Sequence, residues 1–202
     1  MKCPLKCPLI VILGYSNAGK DTLAKFLHSH LEHLGYKSET VKFVQPFKDT
    51  LAMYLGVDRE LMEDREYRST VITELGCTPL ELMIRGFTAM PLIHPKLGLY
   101  KTKKTISWLI HQGVIPVFTD PRNPEEIRYL RGLADEGHPV ISLRVNRPDQ
   151  LPQESDEYLE VNWINLKRFS RYHEVIENDK VKASLHGKVG KLVKNPDFAK
   201  LL

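Results

Sequence analysis

Residues Leu9–Leu13 read Leu-Ile-Val-Ile-Leu, an unbroken apolar run that ends against Gly14. A strand with one face in water alternates apolar and polar residues. A run with no polar position reads as a strand buried on both faces, which is the pattern of parallel sheets. Such a strand needs helices above and below it, so this short run already narrows the chain to an α/β fold. Strand-like runs recur at residues 39–43, 114–118, 140–145 and, more weakly, 172–176, and three of the five are near-continuous in Val, Ile, Leu and Phe.

Helical patterns lie between these runs. Leu23, Phe26, Leu27, Leu31 and Leu34 share one face at i, i+3, i+4 spacing, and Gly35 then stops the helix. Ile127, Leu130, Leu133 and Ala134 repeat the pattern behind Asn123 as N-cap and Pro124 in the first turn. Thr78-Pro79-Leu80-Glu81 is a capping box that opens a helix carrying Leu82, Met83 and Arg85. Val181, Leu185, Val189 and Leu192 suggest a last helix, weakened by Gly187 and Gly190. The alternation predicts a doubly wound parallel sheet of five strands flanked by helices. About seventy residues separate the second strand from the third and read mainly as helix, so a helical insertion is expected there, at the carboxyl ends of the strands.

Composition excludes several classes. The net charge of +4, with no block of five or more like charges, argues against a nucleic-acid-binding protein. No apolar stretch approaches eighteen residues, so no membrane span is expected. Three cysteines, at positions 3, 7 and 77, supply no disulfide framework and point to a reducing, cytoplasmic setting. Cys3 and Cys7 fall in the duplication Lys-Cys-Pro-Leu-Lys-Cys-Pro-Leu, whose spacing is poor for a metal.

The segment after the first strand, Gly14-Tyr15-Ser16-Asn17-Ala18-Gly19-Lys20, fits the phosphate-loop pattern G-x-x-x-x-G-K between a strand and a helix. The leading amides of a helix lack intrahelical partners and, with the helix dipole, favour an anion. Gly14 and Gly19 keep side chains out of its way, and Lys20 brings a full positive charge to the outer phosphates. Residues Gly14, Ser16, Asn17, Ala18, Gly19, Lys20, Asp21 and Thr22 are therefore the candidate phosphate-binding set. Asp21 stands where such loops usually carry a hydroxyl, and Thr22 follows. Asp21 either holds the hydration shell of magnesium or is an acidic first-turn residue favoured by the dipole.

Asp120 ends the third strand, in position to join Asp21 and Thr22 as a magnesium partner if that strand neighbours the first. All eleven arginines follow residue 58, several of them in loops or at element ends. Arg65 and Arg68 cluster, Arg85 lies on the capped helix, Arg122 follows Asp120, Arg144 and Arg147 bracket the end of the fourth strand, and Arg168 and Arg171 precede the fifth. Guanidinium groups suit a reaction that brings two phosphates together, because an ionised phosphate acceptor needs no strong base.

In these stretches the chain resembles the deoxynucleoside monophosphate kinases of bacteriophages and their bacterial relatives, within the P-loop nucleoside monophosphate kinase group. The resemblance rests on Gly14-Tyr15-Ser16-Asn17-Ala18-Gly19-Lys20-Asp21-Thr22, on the segment from Lys42 through Pro46, Phe47 and Lys48, on the capped helix with Arg85 followed by His94-Pro95, and on the segments around Asp120-Pro121-Arg122, Arg144 to Pro148 and Val175 to Asp179. It departs from the family at Gln45, Lys96, Pro121 and Asn123, all around the acceptor side, and lacks an expected tryptophan after His94-Pro95. It implies a three-layer P-loop kinase fold as a single domain over 1–202, with an acceptor-binding helical insertion at about 44–112 and a short lid at about 147–171. It further implies ATP and Mg2+ as cofactors, a nucleoside monophosphate as substrate, and catalytic roles for Lys20, Arg85, Arg122 and Arg171. No nucleic-acid or membrane partner is expected, and a homodimer is allowed. A kinase for another small phosphorylated metabolite, of the phosphomevalonate or dephospho-coenzyme A kind, and a nucleotide-binding module without transfer are the two rival expectations.

Overall fold

The computed structural model describes residues 6–94, 96–150 and 158–202. Cys3 and residues 151–157 of the expected lid lie outside the described residues. The chain divides into two compact units, residues 1–42 with 106–202, and residues 43–105.

The first unit is built on a five-stranded, wholly parallel sheet. Its strands are β1 (Leu9–Leu13), β2 (Ser38–Val41), β3 (Ile115–Phe118), β4 (Val140–Asn146) and β5 (Tyr172–Glu177). They lie in the order β2-β3-β1-β4-β5. Every residue of β1 and β3 is buried, as unbroken apolar runs require. The second strand ends at Val41, two residues short of the expected run, and Phe43 is buried outside it.

Helix α1 (Lys20–His33) follows β1 and buries Leu23, Ala24, Leu27 and Leu31, the expected stripe. Gly35, at φ 85°, ends that turn. These side chains join one core cluster with Ile10 and Ile12 of β1, Ile141 and Leu143 of β4, and Leu185, Val189, Leu192 and Val193 of the late helix Lys182–Lys194. That helix forms despite Gly187 and Gly190, because burial of its apolar face outweighs about 1 kcal/mol per glycine.

The second unit carries α2 (Gln45–Leu55), a 3-10 turn (Arg59–Glu63), α3 (Arg65–Ser69), α4 (Pro79–Ile93) and the first part of α5 (Leu97–His111). Its order is set by local devices. Asp64 caps α3 by accepting from the Tyr67 amide at 2.7 Å. Thr78 and Glu81 close the capping box of α4 at 3.1 and 2.8 Å. Lys48 is buried and donates to both carboxylate oxygens of Glu63, at 2.9 and 3.0 Å. Gly86 admits the Phe47 ring, which leaves no room for a Cβ.

In the sheet, β1 sits between β3 and β4, and the chain crosses from one side of β1 to the other after β3. That reversal opens a crevice at the carboxyl end of β1, where open α/β sheets take their ligands. The remaining helices of the first unit are α6 (Pro124–Asp135), α7 (Leu159–Phe169), α8 (Lys182–Lys194) and α9 (Pro196–Ala199). No helix among the described residues is long and apolar enough to cross a membrane.

Candidate functional site

The turn after β1 is shaped by what surrounds it. A Cβ on Gly14 would lie 2.6 Å from the Val145 carbonyl oxygen of β4. A Cβ on Gly19, whose φ is 103°, would lie 2.4 Å from Nδ2 of Asn178. Asn178 is itself buried beyond the end of β5, where its Nδ2 donates to the Ala18 carbonyl at 2.7 Å and its Oδ1 accepts from the Lys180 amide at 3.1 Å. The loop is thus gripped from two neighbouring strand ends. Asn17, at its tip, takes φ 62°, a conformation in which asparagine is tolerated better than most residues.

No side chain caps α1 at Gly19, so its first turn presents backbone amides and the positive end of the helix dipole to the crevice. The ammonium of Lys20 lies across the loop, donating to the carbonyls of Gly14 at 2.7 Å and Tyr15 at 2.8 Å. Thr22 is half-buried in the same turn. Asp21 is exposed, and Lys42 stands 3.2 Å from its Oδ1. A lysine therefore supplies a cation beside the loop's aspartate, so charge balance there does not require a metal.

Two arginines at the end of β4 hold the rim. Arg147 donates to the Asn17 carbonyl at 2.9 Å and pairs with Asp149 at 3.2 Å, and Asp149 also meets Lys180. Hydrogen bonding to Lys180 holds the Asp149 carboxyl below its usual range. Arg144 makes a two-pronged contact with Glu160 at the start of α7, one prong at 2.8 Å, and the Tyr15 hydroxyl donates to the same carboxylate at 3.2 Å. Arg144 lowers the pKa of Glu160 through these bonds.

Because β3 pairs with β1, the segment after β3 faces the loop. Gly14, Lys20, Thr119, Asp120 and Arg122 line one cleft, with Leu159 of α7 as an apolar wall. The Arg122 guanidinium reaches the Ser16 hydroxyl at 3.4 Å. Glu126, in the first turn of α6, folds back so that Oε2 accepts from the amides of Arg122 at 2.7 Å and Asn123 at 3.0 Å. This carboxyl is buried, and burial together with the charge of Asp120 pushes its pKa up to about 7. Thr119 is buried and its hydroxyl has no hydrogen-bond partner. A carboxylate, a buried hydroxyl and an anion-seeking helix end suit a magnesium nucleotide, since that cation takes oxygen ligands and few of them from protein. Among the described residues no group of three or more His, Cys, Asp and Glu converges on a metal position.

The fold thus brings Gly14, Ser16, Lys20, Asp120 and Arg122 of the expected site together. It does not bring Arg171 there. The Arg171 amide donates to Val140, at the amino end of the sheet, whereas the loop leaves the carboxyl end, a strand's length away. Arg168 ends α7 at that same amino edge, in a polar pocket with His138 and Ser170. Arg147 and Arg144 occupy the rim instead. Arg85 is exposed on α4 of the helical unit, and Glu81, one turn back, is engaged by the capping box. Arg65 and Arg68 lie on the short α3. Asn178, Glu126 and Lys42 join these residues without belonging to the expected site. Of the three, only Glu126 carries a sequence signal, standing three residues after an N-cap asparagine as a capping box requires.

No family model matches the chain. Histone-lysine N-methyltransferase, H3 lysine-79 specific, of Caenorhabditis elegans is 24% identical over 119 residues, which is 52% of this chain and 13% of that protein's length. Among solved structures, Chaetomium thermophilum Kti12 in complex with ADP-AlF3 aligns at 15% identity and a TM-score of 0.45, over 93% of this chain and 98% of its own. A gluconokinase from Sinorhizobium meliloti 1021 aligns at 13% identity and a TM-score of 0.41, over 96% and 97%. What the strand order and the loop geometry give is a parallel five-stranded α/β fold with a glycine-bounded turn between β1 and α1.

The geometry makes two predictions. Gly19→Ala must take up a left-handed φ and displace Asn178, and is expected to cost about 2 kcal/mol or more in urea unfolding. Gly35→Ala, at a similar φ but with nothing within 4 Å, is expected to cost only about 1 kcal/mol. Equal costs would contradict the role of Asn178. For Glu126, a folded pKa near 7 against an unfolded value near 4.5 means that the native state holds the extra proton between those values. Its contribution to stability is therefore full below about pH 4.5 and falls as pH rises to about 7, by at most about 3 kcal/mol. Glu126→Gln is expected to remove that fall, and matching pH–stability profiles for the two proteins would contradict it.

Proposed function

We propose that the protein transfers the γ-phosphoryl group of ATP to a nucleoside or deoxynucleoside monophosphate. The observation that carries this reading is that Lys20 at the start of α1 and Arg122 after β3 line one cleft with Asp120 between a glycine-bounded loop and α7. Two phosphate groups that must approach each other need such charges on both sides.

In this reading the first-turn amides of α1 and the Lys20 ammonium hold the donor phosphates. Lys20 leaves the carbonyls of Gly14 and Tyr15 for a stronger, charged acceptor. Asp120, Thr22 and Asp21 are the residues that would hold magnesium, which would supply positive charge to the outer donor phosphates. Arg122 spans donor and acceptor, and Arg85 of the helical unit is the arginine that the family resemblance assigns to the acceptor phosphate. An oxygen of the acceptor phosphate attacks the γ-phosphorus as its bond to the β-bridging oxygen breaks, giving a nucleoside diphosphate and ADP. That oxygen is already ionised near pH 7, so no side chain acts as base. Leu159 gives the cleft one apolar wall.

The reading does not extend to Arg171, whose place at the amino edge of the sheet is far from these groups. The departures from the family at Pro121 and Asn123 have structural roles here, as a buried wall of the cleft and as the residue before α6.

The test is a panel of ribo- and deoxynucleoside monophosphates with Mg-ATP and purified protein. At least one is expected to be phosphorylated, and Lys20→Ala is expected to lower kcat/KM by at least about 100-fold with an unchanged circular dichroism spectrum. ATP binding without transfer to any member overturns the acceptor, and a wider panel of phosphorylated metabolites then decides between another small-molecule kinase and a binding module. Undiminished turnover in Lys20→Ala overturns the loop's role.

A further inference from the structure

The geometry points to Asn162 and Glu126 as positioning residues that clamp the Arg122 peptide from opposite sides and so set where its guanidinium sits. This inference rests on the role of Arg122 proposed above.

Asn162 lies on α7, is fully buried, and donates from Nδ2 to the Arg122 carbonyl at 2.6 Å. Glu126 lies on α6, is likewise buried, and accepts from the Arg122 amide at 2.7 Å. Both backbone groups of one residue are thus held by buried side chains from two different helices. Around it the chain reads Asp120-Pro121-Arg122-Asn123-Pro124, so Pro121 fixes its own φ and Pro124 restricts Asn123. Little backbone freedom is left at Arg122.

The placement of these groups costs stability. Asn162 stands among the buried Leu159, Trp163 and Leu166 of α7, where an apolar residue would complete the packed face, and its Oδ1 has no hydrogen-bond partner. Glu126 is a buried carboxyl beside the charge of Asp120. An ordinary capping glutamate, such as Glu81 of α4, is exposed. Two buried polar groups in unfavourable settings converge on one residue, and that residue is the arginine in the cleft. A cation displaced by about 1 Å from its place over a transferring group can lower the rate by as much as about 100-fold. Neither side chain lines the cleft itself, so both act through Arg122.

Four variants test this: Asn162→Ala, Glu126→Ala, Glu126→Gln and Arg122→Ala, with the first two also combined with the last. Asn162→Ala and Glu126→Ala are each expected to lower kcat by about 10- to 100-fold at unchanged KM for ATP, because the Lys20 loop is untouched. Glu126→Gln, whose amide oxygen still accepts from the Arg122 N–H, is expected to stay within a few-fold of wild type. In the Arg122→Ala background the further loss is expected to shrink below about 2-fold, while any loss of thermal stability persists. The heteronuclear NOE of the Arg122 Nε–H, measured without substrate, is expected to fall in both alanine variants. Full additional kinetic loss in the Arg122→Ala background, or kcat within 2-fold of wild type in both alanine variants, overturns the inference. Should Asn162→Ala not fold, the Glu126 pair decides alone. Should wild-type protein transfer to no acceptor, the proposed function falls, and the NOE decides the clamp separately, an unchanged value in the alanine variants overturning it.

Discussion

Steric exclusion at two glycines organises everything else at the site. The Val145 carbonyl stands against Gly14 and the Asn178 amide against Gly19, so only residues without a Cβ let the chain pass this close to β4 and the end of β5. Asn178 then ties the Ala18 carbonyl down at 2.7 Å. No side chain caps the start of α1, so the first-turn amides have no side-chain acceptor there. The conformational entropy of ordering the loop is spent during folding, which lowers what a phosphate group must overcome on binding.

Charge is layered around that frame. Lys20 lies over the loop, Arg147 grips its tip, and the Arg144–Glu160 pair joins its base to α7 through Tyr15. Isolated surface ion pairs contribute little to stability, and these are partly exposed. Their value here is positional, since each one fixes an element that borders the crevice. Arg122 differs from them in being held by its backbone as well, through Glu126 and Asn162, while its guanidinium reaches Ser16 of the loop.

Much of the fold is legible in the sequence because the physics involved is local or periodic. The strand β1 follows from five consecutive apolar residues, α1 from its leucine stripe and Gly35, and α4 from the Thr78–Glu81 capping box. The glycine-bounded turn follows from glycine spacing between a strand and a helix. Strand order is not local, and it decides which residues share an end of the sheet. Asp120 depended on β3 lying beside β1, which it does. Arg171 precedes β5, so a parallel sheet carries it to the amino edge, opposite the loop. Asn178 is unremarkable in sequence because its partner is Ala18, 160 residues earlier. Glu126 shows itself as a capping residue, but its burial depends on packing that no spacing reveals.

The account stands on the loop of residues 14–22 being an anion cradle for nucleotide phosphates. Titration of 15N-labelled protein with Mg-ADP, followed by backbone amide chemical shifts, tests this most directly. The account predicts the largest shifts at the amides of residues 14–22, with weaker effects at Asp120 and Arg122. Saturable shifts centred elsewhere, with those amides unmoved, would contradict it.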